Sequence, residues 1–290
     1  MRSEDDETVE AAVQVVDSHV HFWDPARMDY PWLAAVPALH RPYRPRDLDT
    51  GGHELAAAVF VEAGRADGDA AREVDWVEEL AADWPVLRAV VAHAPLEHGA
   101  GAAPRLAELA GRPLVRGVRR NVQDEPAGFA TTDAFVAGVR TLARYGLTFD
   151  LCVRHHQLAE VTTLARRAPD VTIVLDHLGK PPVAAARPDP WRADLARLAA
   201  APNVVCKLSG LATEAAPGHT TADLVPYLAH ALAVFGADRC MFGGDWPVST
   251  LAVTYPDWLG VVTAALAGRP ESERSAVFGG TARRVYRIGS

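Results

Sequence analysis

The chain has no apolar run of membrane-spanning length, no block of basic residues and few cysteines, and each shortage closes off a class of function. Without roughly 20 consecutive apolar residues no helix crosses a bilayer, so a membrane partner is not expected. Lys and Arg total 29 against 37 Asp and Glu, a net charge of −8, which leaves nothing to neutralise a phosphate backbone and argues against nucleic acid. Cys152, Cys206 and Cys240 are odd in number and lack CxxC spacing, so they read as reduced, buried thiols rather than disulfides or zinc ligands. Cys152 and His155 have the spacing of a nucleophile and a base, yet no orienting third group stands near them. The opening Met1-Arg2-Ser3-Glu4-Asp5-Asp6-Glu7 is acidic with no apolar stretch behind it, the wrong pattern for a secretory signal. The expectation is a cytoplasmic protein with a disordered acidic tail over residues 1–12 and one domain over 13–290.

What the chain does have is a core. With 290 residues, 49% of them hydrophobic, it matches the size at which α/β barrels form a single unit. Short apolar runs occur at 13–21, 56–63, 87–93, 114–119, 147–154, 171–177, 203–209 and 239–245. Between them lie stretches of helical period, such as Val74, Val77, Leu80, Ala81 and Trp84, or Phe135, Val136, Val139, Leu142 and Ala143, the latter opened by Thr132 and closed by Gly146. Asp189 before Pro190 reads as a cap followed by the proline position that helices favour. Eight alternating strand and helix units with no composition break predict a single-domain α/β fold, a (β/α)₈ TIM barrel, rather than an open doubly wound sheet.

Barrels of this kind carry their chemistry at the C-terminal ends of the strands. His19 and His21 close the first strand, and Glu62 the second. Arg119 ends the fourth, His155 lies just past the fifth, and His177 closes the sixth. Lys207 and Ser209 end the seventh, and Asp245 the eighth. Period-2 alternation predicts that Asp17, His19 and His21 share a face, and that His177 continues the row Ile173, Leu175. Two imidazoles about 7 Å apart along one strand can converge on one cation. An isolated HxH is also what a half-exposed strand gives, His177 alone reads as a core histidine, and Asp245 alone reads as a helix cap. Their convergence on one rim is what points to catalysis.

The runs Asp17-Ser18-His19-Val20-His21-Phe22-Trp23-Asp24, Tyr30-Pro31-Trp32-Leu33, Gly117-Val118-Arg119-Arg120, Leu175-Asp176-His177-Leu178-Gly179-Lys180-Pro181, Lys207-Leu208-Ser209-Gly210-Leu211, Phe242-Gly243-Gly244-Asp245-Trp246-Pro247 and Gly280-Thr281-Ala282-Arg283-Arg284-Val285-Tyr286 resemble the amidohydrolase superfamily. More narrowly they resemble its amidohydrolase-2 branch of sugar lactonases and pyrone-dicarboxylate lactonases, over about residues 13 to 288. The resemblance implies hydrolysis of a cyclic ester at the barrel mouth, with His19, His21 and Asp245 holding a divalent metal or surrounding the attacking water. It also implies that His177 meets the substrate carbonyl or adds a ligand. Some lactonases of the branch work without metal. No lysine lies in residues 114–120, which argues against a carbamylated-lysine binuclear centre and leaves at most one metal.

Lactone hydrolysis needs a deprotonated water, a stabilised oxyanion and a proton for the leaving alkoxide. Asp245 is the expected general base and His177 the oxyanion donor. Arg119, Lys207 and His155 are expected to bind substrate, and Trp32 to face a sugar ring. Glu62 is expected in the polar wall or as a further metal ligand beside His19, His21 and Asp245. Two imidazoles and a carboxylate suit zinc. The expected activity is hydrolysis of a small-molecule sugar-acid lactone in carbohydrate catabolism. The alternatives are a metal-dependent decarboxylase or carboxylated-lactone hydrolase of the same superfamily, and a barrel that only binds a metabolite.

Overall fold

A computed structural model describes residues 15–289, so the tail expected over residues 1–12 lies outside the described residues. The apolar runs form eight strands: β1 (Val15–Val20), β2 (Leu55–Val61), β3 (Leu87–His93), β4 (Val115–Arg119), β5 (Thr148–Leu151), β6 (Ile173–Leu175), β7 (Val204–Leu208) and β8 (Cys240–Phe242). They lie side by side in chain order, each neighbour parallel to the next. Outside them pack α1 (Ala70–Asp83), α2 (Ala103–Ala110), α3 (Asp133–Thr141), α4 (Leu158–Arg167), α5 (Trp191–Ala199), α6 (Thr221–Phe235), α7 (Tyr255–Ala265), α8 (Glu271–Ser275) and α9 (Thr281–Tyr286). This is the expected (β/α)₈ barrel. Between β8 and β1 the ring closes through the chain just beyond the strands: the amide of Asp245 donates to the carbonyl of His19 (2.7 Å), and that of His21 to the carbonyl of Trp246 (2.8 Å).

Alternation sorts the strand residues into two packed regions. Ala57, Val59, Val61, Ala89, Val91, Val174, Val205 and Met241 fill the barrel, joined from below by Tyr286 of α9. Ala58, Phe60, Val90, Phe149, Ile173, Leu175, Cys206 and Phe242 face the helices. The face expected for the sixth strand is therefore the wrong one. Ile173 and Leu175 pack outward, and the inward row is Val174 followed by Asp176.

Three local expectations are also corrected. No α-helix follows β1, because prolines at 25, 31, 37, 42 and 45 interrupt the segment, which runs instead through short 3₁₀ turns over the barrel mouth. Helix α5 begins at Trp191 with no side-chain cap, so Asp189 does not serve as one. Asp17 does not share the face of the two histidines. A register shift between Asp17 and Val20 breaks the alternation, and the Asp17 carboxylate accepts from the amides of His19 (2.8 Å) and Gly244 (2.8 Å) and from the hydroxyl of Tyr255 on α7 (2.9 Å). The Thr132 cap is as expected, accepting from the amide of Phe135 at 3.3 Å.

Candidate active site

The ends of β1, β6 and β8 deliver four side chains to one point. His19 Nε2 and His21 Nε2 face each other at 3.1 Å. Asp245 Oδ1 lies 3.5 Å from His21 Nε2, 3.7 Å from His19 Nε2 and 4.0 Å from His177 Nε2. All four residues are buried. Neither His177 nor Asp245 is on a strand. Both sit one turn beyond, at φ of 53° and 52°, left-handed conformations that a strongly constrained site imposes. Glycines make room for this. A Cβ on Gly210 would come within 2.4 Å of His177 Nδ1, and one on Gly244 within 2.5 Å of Asp17 Oδ2.

Hydrogen bonding sets which nitrogen carries each proton. His21 Nδ1 lies 2.7 Å from the carbonyl of Val61, which can only accept, so Nδ1 bears the hydrogen and Nε2 presents a lone pair. His19 Nδ1 has two neighbours: Lys207 Nζ at 3.1 Å, a donor, and Asp176 Oδ1 at 3.3 Å, an acceptor. With Lys207 donating, His19 Nε2 carries a hydrogen aimed at His21 Nε2. With Asp176 accepting, both Nε2 atoms turn lone pairs toward Asp245. Asp176 Oδ1 is buried with no well-aligned hydrogen bond of its own, which leaves it ready for the second arrangement.

That second arrangement fits a metal. His19, His21 and Asp245 offer three donor atoms within 4.8 Å of one another, and His19, Asp176 and His177 form a second such group. Donor separations of 3.1, 3.5 and 3.7 Å bracket the edge of a zinc tetrahedron, about 3.3–3.4 Å for bonds of about 2.0–2.1 Å. Two imidazole nitrogens and a carboxylate are the donors that zinc favours.

The titration of the site follows from burial. Burial, with His19 also facing Lys207, holds the His19 imidazole well below its usual range, and burial pushes His177 down to about 4. Both are neutral at neutral pH. Burial also disfavours the charged form of Asp245, but the imidazoles of His177, His21 and His19 against it outweigh this and hold its carboxyl well below the usual range. Asp245 is a carboxylate at neutral pH.

A cleft of about 360 Å³ opens above this cluster, lined by His21, His177, Asp245, Arg119, Trp23 and Trp32 together with Asn121, Gln123, Lys180 and Thr213. A larger groove of about 1180 Å³ between Arg41 and Val261 has no ligating cluster among the described residues, so size does not mark the site. Trp32 is fixed by its indole N–H on the carbonyl of Ala63 (2.8 Å) and packs edge-to-face on Trp23 (5.2 Å). The Glu62 carboxylate stands outside the ligating group, bonded to Arg119 (2.8 Å) and Arg65 (2.8 Å). Arg119, at the rim, is committed to Glu62 and, at 3.4 Å, to Asp176. Lys207 is fully enclosed and touches no cleft: its ammonium lies 2.6 Å from Asp150 and 3.1 Å from Asp176. Opposite charges inside the barrel, rather than substrate, occupy it. His155 lies off the cleft lining, with Nδ1 3.2 Å from the carbonyl of Lys180.

Sequence reasoning gave no role to Asp150, Asp176, Lys180 or Gln123. Asp150 and Asp176 are the inward positions of β5 and of the chain just after β6. The signal was their place beside apolar residues on short strands, and the wrong face for β6 hid it.

Three comparisons with known proteins bear on this geometry. The Amidohydro_2 amidohydrolase model matches residues 16–288. Two proteins named L-fucono-1,5-lactonase are similar in sequence. That of Burkholderia multivorans (strain ATCC 17616 / 249) is 40% identical, covering 94% of this chain and 96% of its own. That of Burkholderia ambifaria is 34% identical over 94% of this chain and 95% of its own. A crystal structure of an amidohydrolase from Burkholderia multivorans with bound zinc superposes with a TM-score of 0.85 at 37% identity, covering 95% of this chain and all of that one. The chain belongs to the Amidohydro_2 family of amidohydrolases.

Proposed function

We propose that this barrel hydrolyses the lactone of a sugar acid, and that a deoxyhexonolactone of the kind named for the Burkholderia relatives is its substrate. The observation that carries the reading is the convergence of His19, His21, His177 and Asp245 on the floor of an aromatic-walled cleft. A module that only binds a metabolite needs no carboxylate against neutral imidazoles. Asp245 takes a proton from water as the oxygen attacks the lactone carbonyl carbon. His177, neutral, donates from Nε2 to the carbonyl oxygen as charge develops there, with Ser209 Oγ 2.9 Å from its Nδ1. Collapse breaks the ring C–O bond, and the proton held by Asp245 passes to the leaving alkoxide. His19, His21 and Asp245 are the residues that would hold a divalent ion, and what such an ion supplies is a lowered pKa for water and a polarised carbonyl. Trp32, half-buried at the cleft and backed by the buried Trp23, offers an apolar face to the sugar ring.

The carboxylated-lactone reading is disfavoured by where the arginines go. Fixed guanidinium groups would be needed for each carboxylate. Arg120 is bound to Glu97 (3.0 Å) and Glu125 (2.5 Å), Arg154 to Asp124 (2.9 Å), and Arg119 to Glu62. A side-by-side assay of neutral aldonolactones against pyrone- and muconate-type carboxylated lactones tests this. The expected kcat/KM ratio is at least ~10 in favour of the neutral substrates, about 1.4 kcal/mol in the transition state. Carboxylated substrates winning would overturn it.

A further inference from the structure

The lysine and arginine side chains in or beneath the mouth differ in what they are tied to. Arg119 is bound by Glu62 and Asp176, and Lys207 is enclosed between Asp150 and Asp176. Lys180 lines the cleft with His177 and Asp245, and its nearest partner is neutral: Nζ donates to Gln123 Oε1 at 2.6 Å. Glu214 is farther away, at 3.8 Å. The same Gln123 oxygen accepts from the thiol of Cys152 at 3.5 Å, which fixes the amide. The backbone is set as well. Lys180 lies in the left-handed region at φ 49°, its amide donates to the carbonyl of His177 (2.8 Å), and its carbonyl lies 3.2 Å from His155 Nδ1.

A neutral lactone gives a cation nothing to pair with, yet charge appears on the substrate as the ring opens and stays on the carboxylate product. With a neutral amide as its nearest partner and Glu214 only at 3.8 Å, this cation can turn to that charge while giving up no more than a loose ion pair. It then binds the transition state and product better than the substrate, which is the condition for catalysis. Resting on the lactonase reading above, we propose that Lys180, aimed by Gln123, is a second donor beside His177 to the oxyanion and then holds the carboxylate of the sugar-acid product. Gln123 acts through Lys180, as a positioning residue.

The test uses the intact protein and its Lys180→Met and Gln123→Leu variants, each checked for folding by circular dichroism and for metal content. With a neutral aldonolactone, Lys180→Met should lower kcat about 10²-fold while KM moves less than about 3-fold, the split expected when an interaction is made mainly in the transition state. Inhibition by the matching aldonate should weaken at least ~10-fold. Gln123→Leu should show both changes in smaller degree, and it decides the matter if Lys180→Met does not fold. A kcat within about 3-fold of the parent, or an unchanged aldonate inhibition constant, overturns the assignment. If the parent opens no aldonolactone, the lactonase reading fails separately, and calorimetric titration with the aldonate alone decides on Lys180. Binding that weakens at least ~10-fold in Lys180→Met keeps it as a carboxylate site, and no binding or equal binding removes it.

Discussion

Two sets of buried polar residues are stacked inside this barrel, and they use the same chemical groups to opposite ends. The lower set is Lys207, Asp150 and Tyr286, with Asp176 at its upper edge. There the ammonium lies between two carboxylates and the tyrosine hydroxyl donates to Asp150 at 2.5 Å, while Asp176 Oδ1, at the edge toward His19, has no well-aligned hydrogen bond. The upper set, His19, His21, His177 and Asp245, brings three imidazole Nε2 atoms and a carboxylate within 3.1 to 4.0 Å of one another with no charged partner fixed among them. A satisfied buried network fixes a structure, whereas an unsatisfied one is ready to take up a cation, a water or a substrate. His19 belongs to both sets, with Nδ1 reaching down to Lys207 and Asp176 and Nε2 facing up. The lower layer thus sets the orientation of the upper one.

The largest effect that separates the two sets is on stability. Lys207→Met leaves Asp150 buried without its cation and Asp176 with Arg119 alone at 3.4 Å, and stripping one partner from a buried ion pair costs about 3–5 kcal/mol. Chemical denaturation should show that loss. Stability equal to the parent's would mean that the lower set does not hold the barrel together.

The upper set should respond the other way, through rate. On the proposed mechanism Asp245→Asn takes away the base and His177→Asn a donor to the oxyanion, and each is expected to lower kcat about 10²-fold or more. Asparagine tolerates the left-handed backbone that both positions adopt, so folding stability should stay within about 1 kcal/mol. A folded Asp245→Asn protein with the parent's kcat would remove Asp245 from the chemistry.

Asp176 lies at the junction, and its prediction is intermediate. If its Oδ1 takes the His19 Nδ1 hydrogen when a metal is held, Asp176→Asn should weaken zinc binding about 10–100-fold. Equilibrium dialysis reads this without any turnover. Unchanged affinity would leave Asp176 to the lower set alone.

The two layers were not equally legible in the sequence. The upper one was visible because His19, His21 and Asp245 follow recognisable strands whose ends meet at the barrel seam, where backbone hydrogen bonds tie β1 to the chain after β8. His177 was found for an inexact reason. Alternation placed it on the row of Ile173 and Leu175, which face the helices, and it reaches the mouth because the strand stops at Leu175 and the chain turns left-handed. The same shift of face concealed Asp176 and with it the reason that Lys207 is buried. A lysine at a strand end reads as a substrate contact until the two carboxylates around it are known, and those come from β5 and from beyond β6, distant in sequence. The eight strand runs were legible because buried parallel strands are nearly continuous in apolar residues. The missing helix after β1 was written in prolines but outweighed by the regularity of the other units.

The smallest effect tests whether an unpaired buried group is functional merely because it is unpaired. Glu73 on α1 is fully buried beside the mouth, with Oε1 accepting from the amide of Ala63 at 2.9 Å and Oε2 without a partner. Burial, with Glu62 nearby, pushes its carboxyl up to about 8, against the partial offset of Arg65. Below the ordinary glutamate range, both folded and unfolded chains hold the proton and stability is unaffected. As pH rises from there toward about 8, the folded chain keeps a proton that the unfolded chain has released, so stability falls, and above about 8 the whole cost is present. Glu73→Gln keeps the acceptor for Ala63 and carries no charge. It should stabilise the protein by on the order of 1 kcal/mol at pH 9 and by much less at pH 4, with kcat unchanged. Glu73 is not among the converging donors with His19, His21 and Asp245 and is not in the lining of the cleft. If Glu73→Gln instead lowers kcat while leaving the pH dependence of unfolding as it was, convergence on the mouth is not what separates the catalytic set from the structural one.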